Sequence, residues 1–389
     1  MDPLPHGNKT ETGYHFVIIT VPFFQNPSKM EFPMKKNHPL QTMAGMLAAI
    51  LFLIGIVSVS ATTAEAVTLT FASNSPPSGL KGDAEKIFLE ELEKAAGGEL
   101  TIKPFWAESL LKGKEILKGV ENGIVDMGQV NIAFSWKRLM RNSGLLLTNE
   151  GPVRYPNKMK TFKRIYAEVP ELNEEFNKYK QQTVYMYTLT SISTCLTKPA
   201  ATIDDFKDLK IRSSSPFALQ VLKDLGATPV SLPWGDLYIS LQTNAIQGVL
   251  TNTDSIHRAK LYEVAPHMFI MDRIWMPIPY QININQKKWQ SLSPEIKAAF
   301  AMAAENAEKR FSQVYDQWWE RIISDMKKSG ATVTFASDAD YDRWAGVQAH
   351  QRNEAFWVKA VSKGGVEDAK GLLDRIQTIV AEEVKREKQ

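Results

Sequence analysis

The chain is short of cysteine, of surplus charge and of histidine, and each shortage removes a class of function. Cys195 is the single cysteine in 389 residues. A disulfide framework and a multi-cysteine metal site are therefore both out of reach, whatever the compartment. Lysine and arginine number 46 against 43 aspartate and glutamate, a net charge of +3. That excess is too small and too dispersed to form the concentrated basic face that nucleic acid requires. Beyond residue 66 the histidines are His257, His267 and His350, none at the spacing of a zinc-binding helix. No G-x-S-x-G elbow, G-x-G-x-x-G turn or phosphate loop occurs, so an enzyme is not expected. Cys195 reads as a small buried hydrophobe rather than a nucleophile, and Asp204-Asp205 as helix-capping and solvated charge. No metal and no other cofactor is expected.

What is present is an ordinary globular composition: 44% apolar, 23% charged and 10% aromatic residues. At roughly 150 residues per domain this length allows two to three domains. The first 66 residues read as a targeting segment. Met34-Lys35-Lys36 and the apolar stretch Met43 to Val59 resemble the charged and hydrophobic regions of a secretory signal, and Ala64-Glu65-Ala66 supplies a small-x-small cleavage pattern. The mature chain is expected to start at Val67 in the periplasm, with translation initiated at Met1 or at Met34. The alternative is an uncleaved anchor, since that stretch approaches the ~20 residues that span a bilayer. The absence of a cysteine at the cleavage site excludes a lipoprotein anchor.

From Val67 the pattern alternates. A strand (Leu69 to Ser73), a helix whose apolar face is Ala84, Ile87, Phe88, Leu92 and Ala95, a strand (Leu100 to Phe105), a helix (Ser109 to Asn122) and a strand (Ile124 to Val130) follow one another. The same order returns from Leu209 to Thr251, with Ser215-Pro216 opening a helix and Gly226 closing it. Two copies of one α/β unit imply two parallel sheets covered by helices, with ligands beyond the carboxyl ends of the strands. A polar helical stretch (156–181) and a strand (183–189) lie between the copies, and Trp275-Met276-Pro277-Ile278-Pro279 precedes a return strand. Ser293-Pro294-Glu295 then opens a helical pattern that runs to Gly330, too long for one small domain.

The residues between Ile203 and Ala265 resemble the solute-binding proteins of tripartite ATP-independent periplasmic (TRAP) transporters, DctP type. The matching strings are Asp208-Leu209-Lys210-Ile211-Arg212, Leu225-Gly226-Ala227-Thr228-Pro229-Val230, Leu237 to Ala245, and Leu261-Tyr262-Glu263-Val264-Ala265. The resemblance implies a type II-like, two-lobed α/β periplasmic binding protein: each lobe a sheet flanked by helices, one long helix spanning both. Residues 67–189 and 277–316 fall to the first lobe, and 190–276 and 317–389 to the second. It implies capture of an organic acid in the interlobe cleft and delivery to the membrane permease subunits of a secondary transporter. A module that presents its closed form to a membrane receptor is the alternative.

The resemblance also places at Arg212 the arginine that clamps the ligand carboxylate. Residue chemistry agrees: a guanidinium offers parallel donors at a strand end, directly before a helix N-terminus. A surface arginine paired with Asp204 or Asp208 is the competing reading. Trp234, ahead of the next helix, is the best of several tryptophans (with Trp106, Trp136 and Trp275) to receive the ligand body. Thr251 and Asn252 close the last strand of the second copy, and Asn74, Gln129 and Asn131 occupy the corresponding ends of the first. Those neighbours are neutral, which suits a monocarboxylate with polar or aromatic substituents. Ile192 stands where sialic-acid binders carry a second arginine, which counts against sialate, and a dicarboxylate lacks an obvious second cation.

Overall fold

The computed structural model describes residues 66–275 and 279–389. The targeting segment, and residues 276–278 of the return crossing, lie outside the described residues. Among the described residues no helix is long and apolar enough to cross a membrane.

The first lobe begins with β1 (Val67–Ala72), α1 (Gly79–Ala95), β2 (Leu100–Phe105), α2 (Ile116–Glu121) and β3 (Met127–Val130). Alternation places Leu69 and Phe71 of β1 in the core, both fully buried. Leu80, Ala84, Ile87, Phe88 and Leu92 recur at helical spacing and bury the inner face of α1. The long expected helix from Ser109 is confined to one 3-10 turn and the two turns of α2. The polar stretch is two helices, α3 (Tyr155–Glu168) and α4 (Glu171–Lys178), interrupted at Pro170, and then β4 (Gln181–Tyr187).

The chain crosses at residues 188–191 into β5 (Ile192–Leu196). There follow β6 (Lys210–Arg212), α5 (Pro216–Asp224), β7 (Thr228–Val230), α6 (Leu237–Gln242), β8 (Gly248–Asn252), α7 (Thr253–Arg258) and β9 (His267–Ile270). It returns to β10 (Tyr280–Asn285) and continues through α8 (Gln286–Ser291), α9 (Pro294–Lys328), β11 (Thr332–Phe335), α10 (Asp338–Ala345), α11 (Ala349–Lys363) and α12 (Ala369–Glu387). The strand orders are β2-β1-β3-β10-β4 and β11-β9-β5-β8-β6-β7.

The sheets are mixed, not parallel as expected. In the first, β10 runs antiparallel to both β3 and β4; in the second, β5 runs antiparallel to both β8 and β9. The crossings cause this. A strand that ends at the carboxyl edge of one sheet hands the chain to the facing edge of the other, so the receiving strand must run backward. Both crossings therefore lie along the edge where ligands of such sheets collect.

α9 ties the two lobes. Ser293 Oγ accepts from the Ile296 amide at 3.2 Å, Pro294 takes the first helical position, and 35 residues at ~1.5 Å each reach roughly 50 Å. Ile296, Phe300, Ala303, Ala307 and Phe311 belong to the core of the first sheet, and Ile322 and Met326 to a core of the second. The C-terminal helices divide likewise. Trp344 of α10 packs with the second sheet, but Leu372, Leu373, Ile376 and Val380 of α12 pack in the first core. Residues 369–387, expected with the second lobe, thus join the first, because that apolar face of α12 lies against α3.

The return crossing is pinned where Trp275, fully buried, stacks on Phe162 at 5.0 Å. A Cβ on Gly151 would stand 1.9 Å from the Trp275 ring, so no larger residue fits there without displacing the indole. Gly151→Ala is expected to cost about 1–3 kcal/mol, read as a lower midpoint in denaturant unfolding. An unchanged midpoint would mean that the crossing shifts freely.

Candidate functional site

β6 is flanked by β7 on one side and β8 on the other, and β1 by β2 and β3. At such divergent strand ends the loops part and leave a crevice. Arg212 is the last residue of β6. Ser213 continues the ladder to the Val230 carbonyl, and Ser215 Oγ accepts from the Ala218 amide to open α5. The backbone around the arginine is therefore fixed.

Only 5% of Arg212 is exposed. Its Nε and Nη2 both donate to the Leu232 carbonyl, at 3.1 and 3.0 Å, which orients the guanidinium plane. Among the described residues no hydrogen-bond acceptor meets Nη1 and no carboxylate forms an ion pair with the group. Asp204, one candidate partner, pairs with Arg343 instead at 3.0 Å. Burial alone pushes the Arg212 pKa down to about 10, still far above neutrality. The result is a buried, charged, oriented cation without a counter-ion, a costly arrangement that an anion relieves.

Trp234 lies beside it, its ring centroid 5.9 Å from the guanidinium carbon. A second guanidinium, that of Arg258 at the end of α7, lies 5.3 Å from the same ring. Cations over an indole face are held by its quadrupole.

The first lobe contributes a polar knot. Lys81, in the first turn of α1 and 5% exposed, donates through Nζ to Asn74 Oδ1 and, at 2.8 Å, to Gln129 Oε1. The structure thus joins two of the expected site residues, Asn74 and Gln129, through a third group that was not expected. Glu85 stands 4.0 Å from Nζ, and the Tyr280 ring lies 4.9 Å beneath it. Burial pushes the Lys81 pKa down to about 8 although Glu85 pulls it up, and burial likewise raises that of Glu85. Tyr187 Oη donates to Glu85.

The structure places three more of the expected residues as follows. Asn131 Oδ1 accepts from the Ala133 amide at 2.9 Å and so caps a single helical turn. Asn252 Nδ2 donates to the Thr190 carbonyl at 2.6 Å, bracing the first crossing. Thr251 is half-buried on β8, paired in register with Ser193. Among the tryptophans, Trp275 goes into the core, Trp106 packs edge-on against Phe71, and Trp136 packs against Phe217.

The groups weighed for catalysis are engaged in structure. Cys195 is fully buried, 3.8 Å from the Val249 carbonyl, and burial pushes its thiol up to about 12. His257 meets Asp325, His267 meets Thr332, and His350 meets the Trp344 carbonyl. Asp205 accepts from the amides of Ala201 and Thr202. Among the described residues no cluster of three or more histidine, cysteine or acidic side chains could hold a metal.

Sequence reading missed Lys81, Glu85 and Arg258. The signal was present: Lys81 and Glu85 stand four apart on the apolar side of α1, and Asp254 and Arg258 stand four apart on α7. Two opposite-charge pairs at helical spacing read as surface ion pairs. Tertiary packing instead buries Lys81, Glu85 and Asp254 and leaves Arg258 half-buried.

Comparison with known proteins agrees with this architecture. The 2,3-diketo-L-gulonate-binding periplasmic protein YiaO of Escherichia coli is 25% identical over 84% of this chain and 97% of its own length. The high-resolution structure of the periplasmic ectoine-binding protein of the TeaABC TRAP transporter of Halomonas elongata superposes with a TM-score of 0.71 at 20% identity, over 81% of this chain and 99% of that one. A TRAP periplasmic solute-binding protein from Desulfovibrio salexigens with bound orotic acid gives 0.71 at 18% identity, over 80% and 99%. The model of the bacterial extracellular solute-binding proteins, family 7 (DctP), matches residues 71–356, and with two lobes, two crossings and a bracing helix in place, the chain belongs to that family of TRAP solute-binding proteins.

Proposed function

We propose that this protein captures an organic acid in the periplasm by its carboxylate, between its two lobes, and delivers it to a TRAP-type membrane permease. The observation that carries the reading is the buried Arg212 guanidinium with no acidic partner among the described residues. The Leu232 carbonyl occupies one edge of that guanidinium and leaves donors for two carboxylate oxygens. Trp234 offers an apolar wall, and the Lys81 knot of Asn74 and Gln129 offers polar contacts from the other lobe. A relative named for binding 2,3-diketo-L-gulonate and a neighbour of the same fold with bound orotic acid both take organic acids.

Lobe closure follows from where the contacts originate. Arg212 and Trp234 belong to the second lobe and Lys81, on α1, to the first, so a solute touching all three is held only when the lobes meet. Its differential affinity for that form shifts the balance toward it. On this reading the backbone rotates at the described crossing segments 188–191 and 271–275. Export through a cleaved signal ending at Ala66 is part of this proposal.

A thermal-shift screen of keto acids, sugar acids and aromatic acids, followed by calorimetry of the hits, tests the reading. Stabilisation by at least one class of acid, lost in Arg212→Ala, is the expected result. Turnover of an acid at a rate scaling with protein would overturn it. Trp234 emission is expected to change on binding, and Trp234→Phe to remove most of that change in a fluorescence titration. A full signal in the variant would take Trp234 off the solute.

A further inference from the structure

We propose that Arg258 is a second anion-binding residue of this cleft, so that the solute carries two oxyanion groups, one for each guanidinium, with its body against Trp234. The inference rests on the reading of Arg212 above and deepens it. Two guanidinium groups share one indole, their carbons 5.9 and 5.3 Å from its centroid. Neither has an ion-pair partner among the described residues, and two like charges held on one ring repel. A single carboxylate on Arg212 leaves the other cation without a directly paired anion, the acids Asp254 and Glu85 acting on it only through space. A solute with a second oxyanion satisfies both.

Arg258 has unused capacity. Its Nε is buried and meets no hydrogen-bond acceptor among the described residues. Asp254, one helical turn earlier on α7, is the acid that would ordinarily pair with it. That carboxylate makes its hydrogen bonds elsewhere and forms no ion pair with Arg258, although the guanidinium still acts on it through space: Oδ1 accepts from Thr190 Oγ1 at 2.7 Å and from the Thr190 amide at 3.3 Å, and Oδ2 accepts from Ser255 Oγ at 3.4 Å. Lys81, the remaining cation nearby, is already held by Asn74, Gln129 and Glu85. Arg258 also sits at the lobe boundary. A Cβ on Gly79, which opens α1, would lie 3.6 Å from Arg258 Cδ. The arginine's stem thus rests on the turn that leads from Asn74 to Lys81. An oxyanion bound there is contacted when the first lobe is in place.

This supplies the second cation that the sequence did not reveal for doubly charged acids. The residue would decide which acids bind, while Arg212 decides that acids bind at all.

Matched acids differing by one charged group test it: butyrate against succinate, benzoate against phthalate, and 2-oxopentanoate against 2-oxoglutarate. Their binding would be followed by thermal shift and calorimetry with the wild type, Arg258→Gln, Arg258→Lys and Arg212→Ala. The wild type is expected to prefer the doubly charged member of at least one pair. Arg258→Gln is expected to erase that preference, weakening the doubly charged acid about tenfold or more and the singly charged one about twofold or less. Arg258→Lys, which keeps the charge, should retain part of the preference and guards against a folding defect in the glutamine variant. Equal binding of both members by the wild type, or a preference that survives Arg258→Gln, overturns the second subsite and leaves Arg212 standing. Binding by Arg212→Ala equal to that of the wild type, or no stabilisation by any member, overturns the carboxylate reading and this inference with it.

Discussion

Arg212→Ala is expected to weaken binding of the solute by about 2–5 kcal/mol, which at 1.4 kcal/mol per decade is a loss of about 30-fold or more. The size follows from the environment of the side chain, which is 5% exposed and has a carbonyl but, among the described residues, no carboxylate ion-pair partner. A charge pair formed in such a place is little screened, and truncation leaves the solute's carboxylate buried and unpaired. Arg212→Lys should fall between wild type and alanine, because an ammonium keeps the charge but cannot present two parallel donors or fill the guanidinium's place against Leu232. Stability of the free protein separates this role from a structural one. A buried cation without a counter-ion contributes little to folding, so the alanine variant should unfold within about 1 kcal/mol of the wild type. Unchanged affinity by calorimetry, or loss of binding accompanied by gross destabilisation, would remove Arg212 from the site as a ligand-binding group.

Much of the fold was legible because it is written in local periodicity. The stripe of α1, the Ser293-Pro294 start of α9 and the Ser215 cap of α5 are each decided by a few neighbouring residues. What was not legible is what depends on distant partners. β5, β9 and β11 are four or five residues long and have too few positions for a pattern to stand out. The strand 183–189 and the proline-rich 275–279 read as crossings between domains, but the reversed directions of β5 and β10 depend on how the two sheets face each other, which no window of sequence contains. The packing of α12 on α3 is likewise a contact across some two hundred residues.

The site divides along the same line. Arg212 and Trp234 lie at strand and helix ends that local pattern locates, and the structure brings them within 5.9 Å of each other. Asn74 and Gln129 also meet, but through Lys81, a residue that helical spacing marks only as one half of an ordinary ion pair with Glu85. Whether such a pair faces water or the core is fixed by what packs over it, here Tyr187 and Tyr280 from strands far along the chain. Asn131 and Asn252 show the reverse case. Both stand where a strand ends, and each commits one atom of its amide to the backbone, Asn131 Oδ1 capping a turn and Asn252 Nδ2 bracing a crossing.

Lys158 carries the second large prediction, a stability that rises with pH where most proteins lose it. The side chain is 1% exposed in α3, and its Nζ reaches Ser191 Oγ of the first crossing at 3.1 Å and Tyr315 Oη of α9 at 3.2 Å. No carboxylate pairs with it among the described residues. Burial pushes its pKa down from 10.5 to about 8, against a weaker upward pull from Asp272, Glu387 and Asp254. Between those two values the unfolded chain holds a proton that the folded chain has released, so raising the pH favours folding. The penalty is in full force below pH 8 and disappears as the pH climbs through about 10.5. At 1.36 kcal/mol per pKa unit the change is worth about 3 kcal/mol. Lys158→Met keeps the length and removes the charge. Near neutral pH it should be more stable than the wild type, by up to about 3 kcal/mol less ~1 kcal/mol for each lost hydrogen bond. The advantage should shrink steadily from pH 8 to pH 10.5. Other alkaline titrations, Lys81 included, occur in both chains and cancel in the difference. Urea unfolding of the pair across that range gives the answer directly, and a difference that does not vary with pH would mean that Lys158 is charged and compensated in the folded protein.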